Sequence, residues 1–376
     1  MTHSNLKDDA SPSSVGIDAS RAVTAVPTGT EYYSRALIGA LLQLDTPFHF
    51  RLYTRTPPPA NLFPPTNNYN VRVIPFPRLW THFRLSYEML TRPPDVLFVP
   101  AHVLPPIRPR HSLVTIHDLG YKYFPEAHSS LNRAYLDLST RWNVRAARVV
   151  IADSTATRDD IVKFYGTPAE KIRVVYPAYN AEVFKPIRDM DEIQRVRTKY
   201  ELAQPYIISV GTVHPRKNYA RLIEASASLP AEYFLVIVGK KGWGFDLLAA
   251  RVRKLTMESR VKFLDYIPLD DLPALYAGAE LAVFPSLYEG FGFPALEAQA
   301  CETPLACSNT SSLPEVAGGG AAYFDPLDTT DIAATLHYYL KNSTARAALV
   351  KQGHANLKRF SWERAARDIV EIVRGI

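Results

Sequence analysis

The sequence predicts an α/β protein made of two doubly wound, Rossmann-like domains that face each other across a cleft. Three observations carry the prediction. The chain has 376 residues, about two to three times the usual size of a single hydrophobic core. Short aliphatic and β-branched runs alternate with longer amphipathic stretches, the rhythm of buried parallel strands and covering helices. That rhythm breaks once, in the polar stretch FKPIRDMDE at 184–192, and then restarts.

In the first half, strands are expected at 15–19, 50–54, 71–74, 95–99, 113–117 and 148–152. Crossover helices are expected over 29–44 and 131–145, where apolar residues recur at three-to-four spacing. The second half repeats the pattern, with strands at 206–210, 234–238, 261–264, 281–284 and 304–308 and helices from Asn218, from Phe245, over 269–277 and from Pro294. The predicted organisation is a flexible tail over 1–14, a first Rossmann-like domain over 15–186, a second Rossmann-like domain over 187–360, and a final helix over 361–376. That helix begins at the N-cap Ser361, and its apolar face, Trp362, Ala366, Ile369 and Val370, suits packing back across the first domain. Twenty of the thirty prolines lie at or before Pro186, so the first domain should carry variable, substrate-facing loops.

Composition narrows the function. With 47% hydrophobic and 21% charged residues, the chain is ordinary globular material and not disordered or collagen-like. The two cysteines, Cys301 and Cys307, have neither zinc-site spacing nor the density of a disulfide scaffold, which fits a reduced, cytoplasmic setting. The polar N-terminus lacks the apolar segment of a signal peptide, and no apolar run is long enough to cross a bilayer. The formal charge of +6 resides in the first half, which holds 21 Lys/Arg against 15 Asp/Glu through residue 185, whereas the remainder holds 22 of each. No dense basic run with interleaved aromatics occurs, so no nucleic-acid partner is expected. No basic amphipathic helix stands out either, which leaves peripheral contact at the inner membrane face as an alternative only.

The chemistry concentrates in two segments. In YEGFGFPALEAQA (288–300), Pro294 suits the first turn of a helix, so the chain should leave a strand, turn through Gly290 and Gly292, and present a helix N-terminus. Free N–H groups and a positive dipole end suit a diphosphate there. Glu297, one turn in, can accept from a ribose diol; Glu289 and the backbone N–H groups of Phe291, Gly292 and Phe293 can read sugar hydroxyls. In SVGTVHPRKN (209–218), a strand ends at Gly211 and is followed by Arg216 and Lys217, two cations at a switch-point edge. Such a pair stabilises the charge that a nucleoside diphosphate gains as its bond to a sugar breaks.

At this point the sequence resembles the retaining, GT-B-fold glycosyltransferases of family 4 (glycosyl transferases group 1). GTVHPRKN and EGFGFPALE carry the resemblance, supported in order along the chain by PTGTEYYSRAL (27–37), TIHDLGYKYFP (115–125), VIADSTATRDDI (150–161), VVYPAYNAEVFKP (174–186) and SSLPEVAGGGAAYFDP (311–326). The resemblance implies that Arg216 and Lys217 hold the diphosphate, that Glu297 holds the ribose, and that Glu289 with the Phe291–Phe293 backbone holds the donor sugar. It also implies that His117 faces the reacting carbon, that Gly29 and Thr30 lie near donor phosphate and acceptor, and that the backbone around Gly239 and Ile267 frames the base. His117 could read as a general base, but retention without a covalent intermediate favours a positioning role; Asp118 reads as a local turn former.

The TIHDL and GTVHPRKN forms look most like bacterial mannosyltransferases of polysaccharide assembly. The expected donor is therefore GDP-mannose, with UDP-glucose or a non-catalytic sugar-nucleotide-binding scaffold as alternatives. The expected acceptor is a hydroxyl of a glycan, of a lipid-linked sugar or of a small molecule. No metal and no cofactor is expected. Asp189-Met190-Asp191 has the spacing of a metal-binding aspartate pair, but it lies in the linker ahead of a charged helix and reads as a solvated helix start. No strand is followed by the glycine triplet of a dinucleotide-binding dehydrogenase.

Overall fold

The computed structural model describes residues 13–24, 29–101 and 103–376. Most of the expected tail over 1–14, and Pro27 and Thr28 of the glycine loop, lie outside the described residues. Ser13 and Ser14 are not tail: both side-chain hydroxyls and both backbone N–H groups donate to the Asp95 carboxylate at 2.9–3.1 Å, and Ser14 opens the first strand.

Two sheets form, each wholly parallel among its paired strands. The first has seven strands, β1 (Ser14–Asp18), β2 (His49–Thr54), β3 (Tyr69–Val73), β4 (Val96–Val99), β5 (His111–Ile116), β6 (Val149–Ala152) and β7 (Ile172–Val174), in the order β3-β2-β1-β4-β5-β6-β7. The second has β8 (Tyr206–Val210), β9 (Phe234–Val238), β10 (Val261–Leu264), β11 (Leu281–Phe284), β12 (Leu305–Ser308) and β13 (Ala322–Phe324), ordered β10-β9-β8-β11-β12-β13. Central strands such as β4, β11 and β12 are buried along their whole length, because helices cover both faces and leave no position for a solvated side chain. The order reverses between β1 and β4 and again between β8 and β11. These switch points splay the crossover connections apart and open a crevice beyond the carboxyl ends of the strands.

The helices lie where the apolar periodicity puts them. Gly29–Gln43 turns Tyr33, Leu37, Ile38 and Leu41 inward, and Ser130–Ala146 starts at Ser129, whose hydroxyl accepts from the Asn132 N–H. Asp189 caps Met190–Lys199 by accepting from the Asp191 N–H, so the linker aspartates serve a helix start. The last helix, Trp362–Arg374, is capped by Ser361 and buries Ala365, Ala366, Ile369, Val370 and Val373 in the core that covers one face of the first sheet. Trp362 touches the cores of both halves, and its indole N–H donates to the Tyr32 hydroxyl at 3.2 Å.

Candidate functional site

The site begins at the carboxyl end of β8. The chain passes through Gly211 into a single turn of 3-10 helix, Pro215–Lys217, whose N-cap His214 accepts from the Arg216 N–H. Gly211 has φ +151°, and a Cβ there would sit 3.0 Å from Lys217 Cε, so the missing side chain lets the lysine fold back over the strand end. Gly239, at the end of β9, is there for the same crowding: its Cβ would lie 2.3 Å from the Gly211 carbonyl oxygen.

The neighbouring strand β11 feeds the second segment. Arg216 Nη1 donates to Glu289 Oε2 and Lys217 Nζ donates to Glu289 Oε1, both at 2.6 Å, so the two cations bracket one carboxylate. Arg216 also donates to the Tyr288 carbonyl at 3.0 Å. Burial alone would raise the Glu289 pKa, but the charges of Lys217 and Arg216 and hydrogen bonds from Lys217 and Ser286 hold it at about 2. The loop is fixed from its own domain by serine hydroxyls: Ser312 donates to the Glu289 and Phe291 carbonyls at 2.9 and 2.7 Å.

Beyond the loop, Gly292 sits at φ +103° and caps the helix Phe293–Ala300, with Pro294 in its first turn. The N–H groups of Phe291, Gly292 and Phe293 have no hydrogen-bond acceptor among the described residues. Together with the helix end they form a donor cluster suited to oxygen ligands. Glu297, one turn in, lies under Tyr276, whose hydroxyl is 3.4 Å from Oε2. Burial lifts its pKa to about 7, against the smaller lowering effects of the Tyr276 hydrogen bond and the Lys217 charge.

The first domain presents His117 at the end of β5. Its Nδ1 lies 2.6 Å from Asp153 Oδ2 at the end of β6, and the Tyr33 ring meets the imidazole edge-on with centroids 4.7 Å apart. Burial would lower the His117 pKa, but Asp153, with help from Asp118 and the Pro100 carbonyl, outweighs it and raises the value above 6.5. Asp118 accepts from the Gly120 N–H at 2.8 Å, the hydrogen bond of a local turn.

The two domains meet beside the site. A Cβ on Gly290 would lie 2.2 Å from the His117 carbonyl oxygen, so the glutamate loop touches the end of β5 directly. The Gly290 carbonyl accepts from Ser154 Oγ at 2.6 Å and Thr157 Oγ1 at 3.1 Å. Tyr288 donates to Asp160 at 2.9 Å, accepts from the Leu119 N–H at 3.1 Å and stacks on Tyr123. Glu315 accepts from the Thr155 N–H at 2.8 Å, at the start of the helix Thr155–Tyr165.

Between these walls lies a cavity of about 600 Å³. Among the sequence-predicted residues, Gly29, Thr30, His117, Arg216, Lys217, Glu289, Phe291, Gly292, Phe293 and Glu297 line it. Gly211, Gly239 and Ile267 do not: Gly211 lies beneath Lys217, Gly239 behind Gly211, and Ile267 is buried in the core of the second domain. The apolar wall where a base was expected is made by Val210, Leu269 and Leu272. Sequence reasoning missed Tyr32, Asp153, Asn180 and Phe184 as lining residues, although all four fall inside quoted segments: Tyr32 in PTGTEYYSRAL, Asp153 in VIADSTATRDDI, and Asn180 and Phe184 in VVYPAYNAEVFKP. Among the described residues, no three or more His, Cys, Asp or Glu side chains are grouped to hold a metal ion.

Two facing parallel sheets, with a cation pair and a glutamate loop at the switch point of the second, define the GT-B class of sugar-transferring enzymes. The sequence matches Glycosyltransferase Family 4 over residues 27–183 and Glycosyl transferases group 1 over residues 190–355. The chain is 36% identical over 263 residues to the O-antigen chain mannosyltransferase B of Escherichia coli, an alignment covering 69% of this chain and 68% of that one. Sucrose-phosphate synthase of Thermosynechococcus elongatus shares the fold with a TM-score of 0.74 at 19% identity, over 96% of this chain and 98% of the other. Anabaena HepE, in complex with UDP-glucose, does so with a TM-score of 0.74 at 18% identity, over 97% of this chain and 100% of the other. The chain belongs to the family 4, group 1 glycosyltransferases.

Proposed function

We propose that this glycosyltransferase moves mannose from GDP-mannose to a hydroxyl, retaining configuration at the anomeric carbon and needing no metal. The observation that carries the reading is the bracket of Arg216 and Lys217 around Glu289 beside a helix N-terminus. Two cations and one carboxylate leave a net positive charge in a buried setting, which a diphosphate complements. Lys217 and Arg216 then stabilise the negative charge that grows as the bond from the anomeric carbon to phosphate oxygen breaks. Glu289 and the N–H groups of Phe291, Gly292 and Phe293 take the hexose hydroxyls, and Glu297 takes the ribose.

In this scheme the acceptor attacks from the face that the phosphate leaves. Its oxygen bonds to the anomeric carbon while its proton passes to the departing phosphate oxygen, so no enzymic nucleophile is required. His117, held through Nδ1 by Asp153, orients the sugar. A second cavity of about 410 Å³ adjoins the first and is lined by His117, Asp118, His128, Tyr135, His214 and Arg216, among others; it is the proposed acceptor side. The mannosyl donor is supported by the Escherichia coli relative's name, and a nucleotide-sugar donor in this fold by the HepE complex with UDP-glucose.

Calorimetric titration with GDP and UDP, followed by a transfer assay with GDP-mannose in the presence of EDTA, tests the reading. Tight GDP binding, an α-linked product and activity undiminished by EDTA are expected. Tight UDP binding with no response to GDP would move the donor to the UDP-glucose type. Lys217→Ala should weaken both GDP binding and turnover by about tenfold or more, since its charge acts in ground and transition states.

A further inference from the structure

The first domain carries a face that the sugar-transfer reading does not use. In the helical stretch 81–91 and the two residues before it, Trp80, Leu85 and Met89 turn inward, while Leu79, Phe83, Tyr87 and Leu90 recur on the outer side. The helix Ser130–Ala146 does the same: Thr140, Asn143 and Val144 are buried, and Leu131, Tyr135, Leu138 and Trp142 point out. Leu79, Phe83, Tyr87, Leu90, Leu131 and Leu138 are 59–84% exposed, far more than large apolar side chains need be in a domain with an ample core.

The two stripes are neighbours. Tyr135, Leu138 and Trp142 share a surface hollow with His82 from the first helix and with Leu104 and Pro106 from the loop between them. The Arg108 guanidinium of that loop covers the Trp142 ring at 4.8 Å and donates to the Ala146 carbonyl at 3.2 Å, tying the loop to the second helix.

The segments that carry these stripes are also basic. Residues 76–92 contain Arg78, Arg84 and Arg92, residues 104–111 contain Arg108 and Arg110, and residues 130–146 contain Arg133, Arg141 and Arg145. Against these eight stand two acids, and neither is bare: Glu88 is buried between Arg72 and Arg84, and Asp137 pairs with Lys122 and Arg141. The rest of the chain then holds 35 basic and 35 acidic residues, so these three segments account for the whole +6.

We propose that this face seats the enzyme on an anionic lipid bilayer, with the leucine and aromatic side chains entering the headgroup boundary and the arginines pairing with lipid phosphates. Exposed leucines give a soluble polyanion such as nucleic acid nothing to bind, and a second copy of the chain would bring two positive faces together. An anionic bilayer satisfies both components at once. Tyr135 belongs both to this face and to the second cavity, so a hydroxyl acceptor borne on a lipid would reach the reaction centre along it. That extension rests on the glycosyltransfer reading; the bilayer contact itself does not.

Sedimentation of the full chain with phosphatidylcholine vesicles, with and without phosphatidylglycerol, tests the proposal alongside the combined variant Phe83→Ser, Leu90→Ser, Leu131→Ser. The wild type should bind only the anionic vesicles and be released by salt. The variant should lose binding by about tenfold or more with its melting temperature and GDP affinity unchanged. No binding to anionic vesicles at low salt, or equal binding by the variant, overturns the proposal. So does a wild-type dimer that the variant converts to monomer, which would give the face to a second copy. GDP affinity measured on the same preparations reports separately on the donor site.

Discussion

Glu289→Gln removes one negative charge from between two cations without changing the side chain's shape. In the wild type both carboxylate oxygens accept at 2.6 Å, and the pKa falls from 4.5 to about 2. At about 1.4 kcal/mol per pKa unit, the ionised group contributes roughly 3 kcal/mol to the folded state. Because the folded pKa is depressed, that contribution is complete above the unfolded value near 4.5 and is lost as pH falls through about 2. At pH 7 the variant should therefore melt several degrees below the wild type, whereas at pH 3 the gap should narrow. The same substitution frees Arg216 and Lys217 for the diphosphate, so GDP should bind more tightly, by about tenfold if half of the released interaction is recovered. Turnover should fall, since a neutral amide is a weaker acceptor for the sugar hydroxyls. Scanning calorimetry at both pH values, GDP titration and a transfer assay read the three effects. A variant that binds GDP no better than the wild type, with a pH-independent melting gap, would refute the bracket as the diphosphate site.

Glu297 has a raised pKa of about 7, so its contribution to stability has the opposite sign: it is present below about 4.5 and is lost as pH rises through 7. Glu297→Gln should stabilise the protein at pH 8 by up to about 3 kcal/mol, while removing the loss of GDP affinity expected as the wild type is taken below pH 7; denaturant melts and titrations across pH check both. Asp153→Asn should lower the His117 pKa, read by NMR of the imidazole, and reduce turnover more than GDP affinity, because the residue acts on donor geometry through His117. Gly290→Ala places a Cβ 2.2 Å from the His117 carbonyl and should force the domains apart. Scattering should show a larger radius of gyration and assays a loss of transfer, with GDP affinity within about threefold of the wild type because its proposed ligands lie in the second domain.

The sheet strands were legible where they are long and buried on both faces, as in YIISV and FLVIV, because continuous β-branched runs leave few alternatives. The three-residue strand β13 carries too little pattern to announce itself. Arg216, Lys217, Glu289 and Glu297 were legible because their neighbours are glycines and a proline that only a turn into a helix accommodates. What the sequence could not provide was their mutual arrangement: that both cations contact Glu289 depends on β8 and β11 being adjacent, though the paired residues Ile207 and Leu281 lie 74 positions apart in the chain. Asp153 escaped for a related reason, since its partnership with His117 exists only through the pairing of β5 with β6. The exposed apolar stripes were hidden because each helix also buries apolar residues on its other side; their combined surface arises when the fold sets them side by side.

The glutamate loop is the element through which the two domains act on one another. Its backbone is held from the second domain by Ser311 and Ser312 and from the first by Ser154 and Thr157, while its side chain Glu289 sets the positions of both cations. Moving the domains apart would break the hydrogen bonds to the Gly290 carbonyl, one residue from Glu289, and would also withdraw His117, whose carbonyl abuts that glycine. In the proposed reaction, closure therefore brings the His117–Asp153 pair to the sugar that the glutamate loop holds, while Glu289 keeps both cations with the second domain. That coupling explains why a residue as small as Gly290 occupies the contact. Any side chain there would hold apart the two groups that the reaction must bring together.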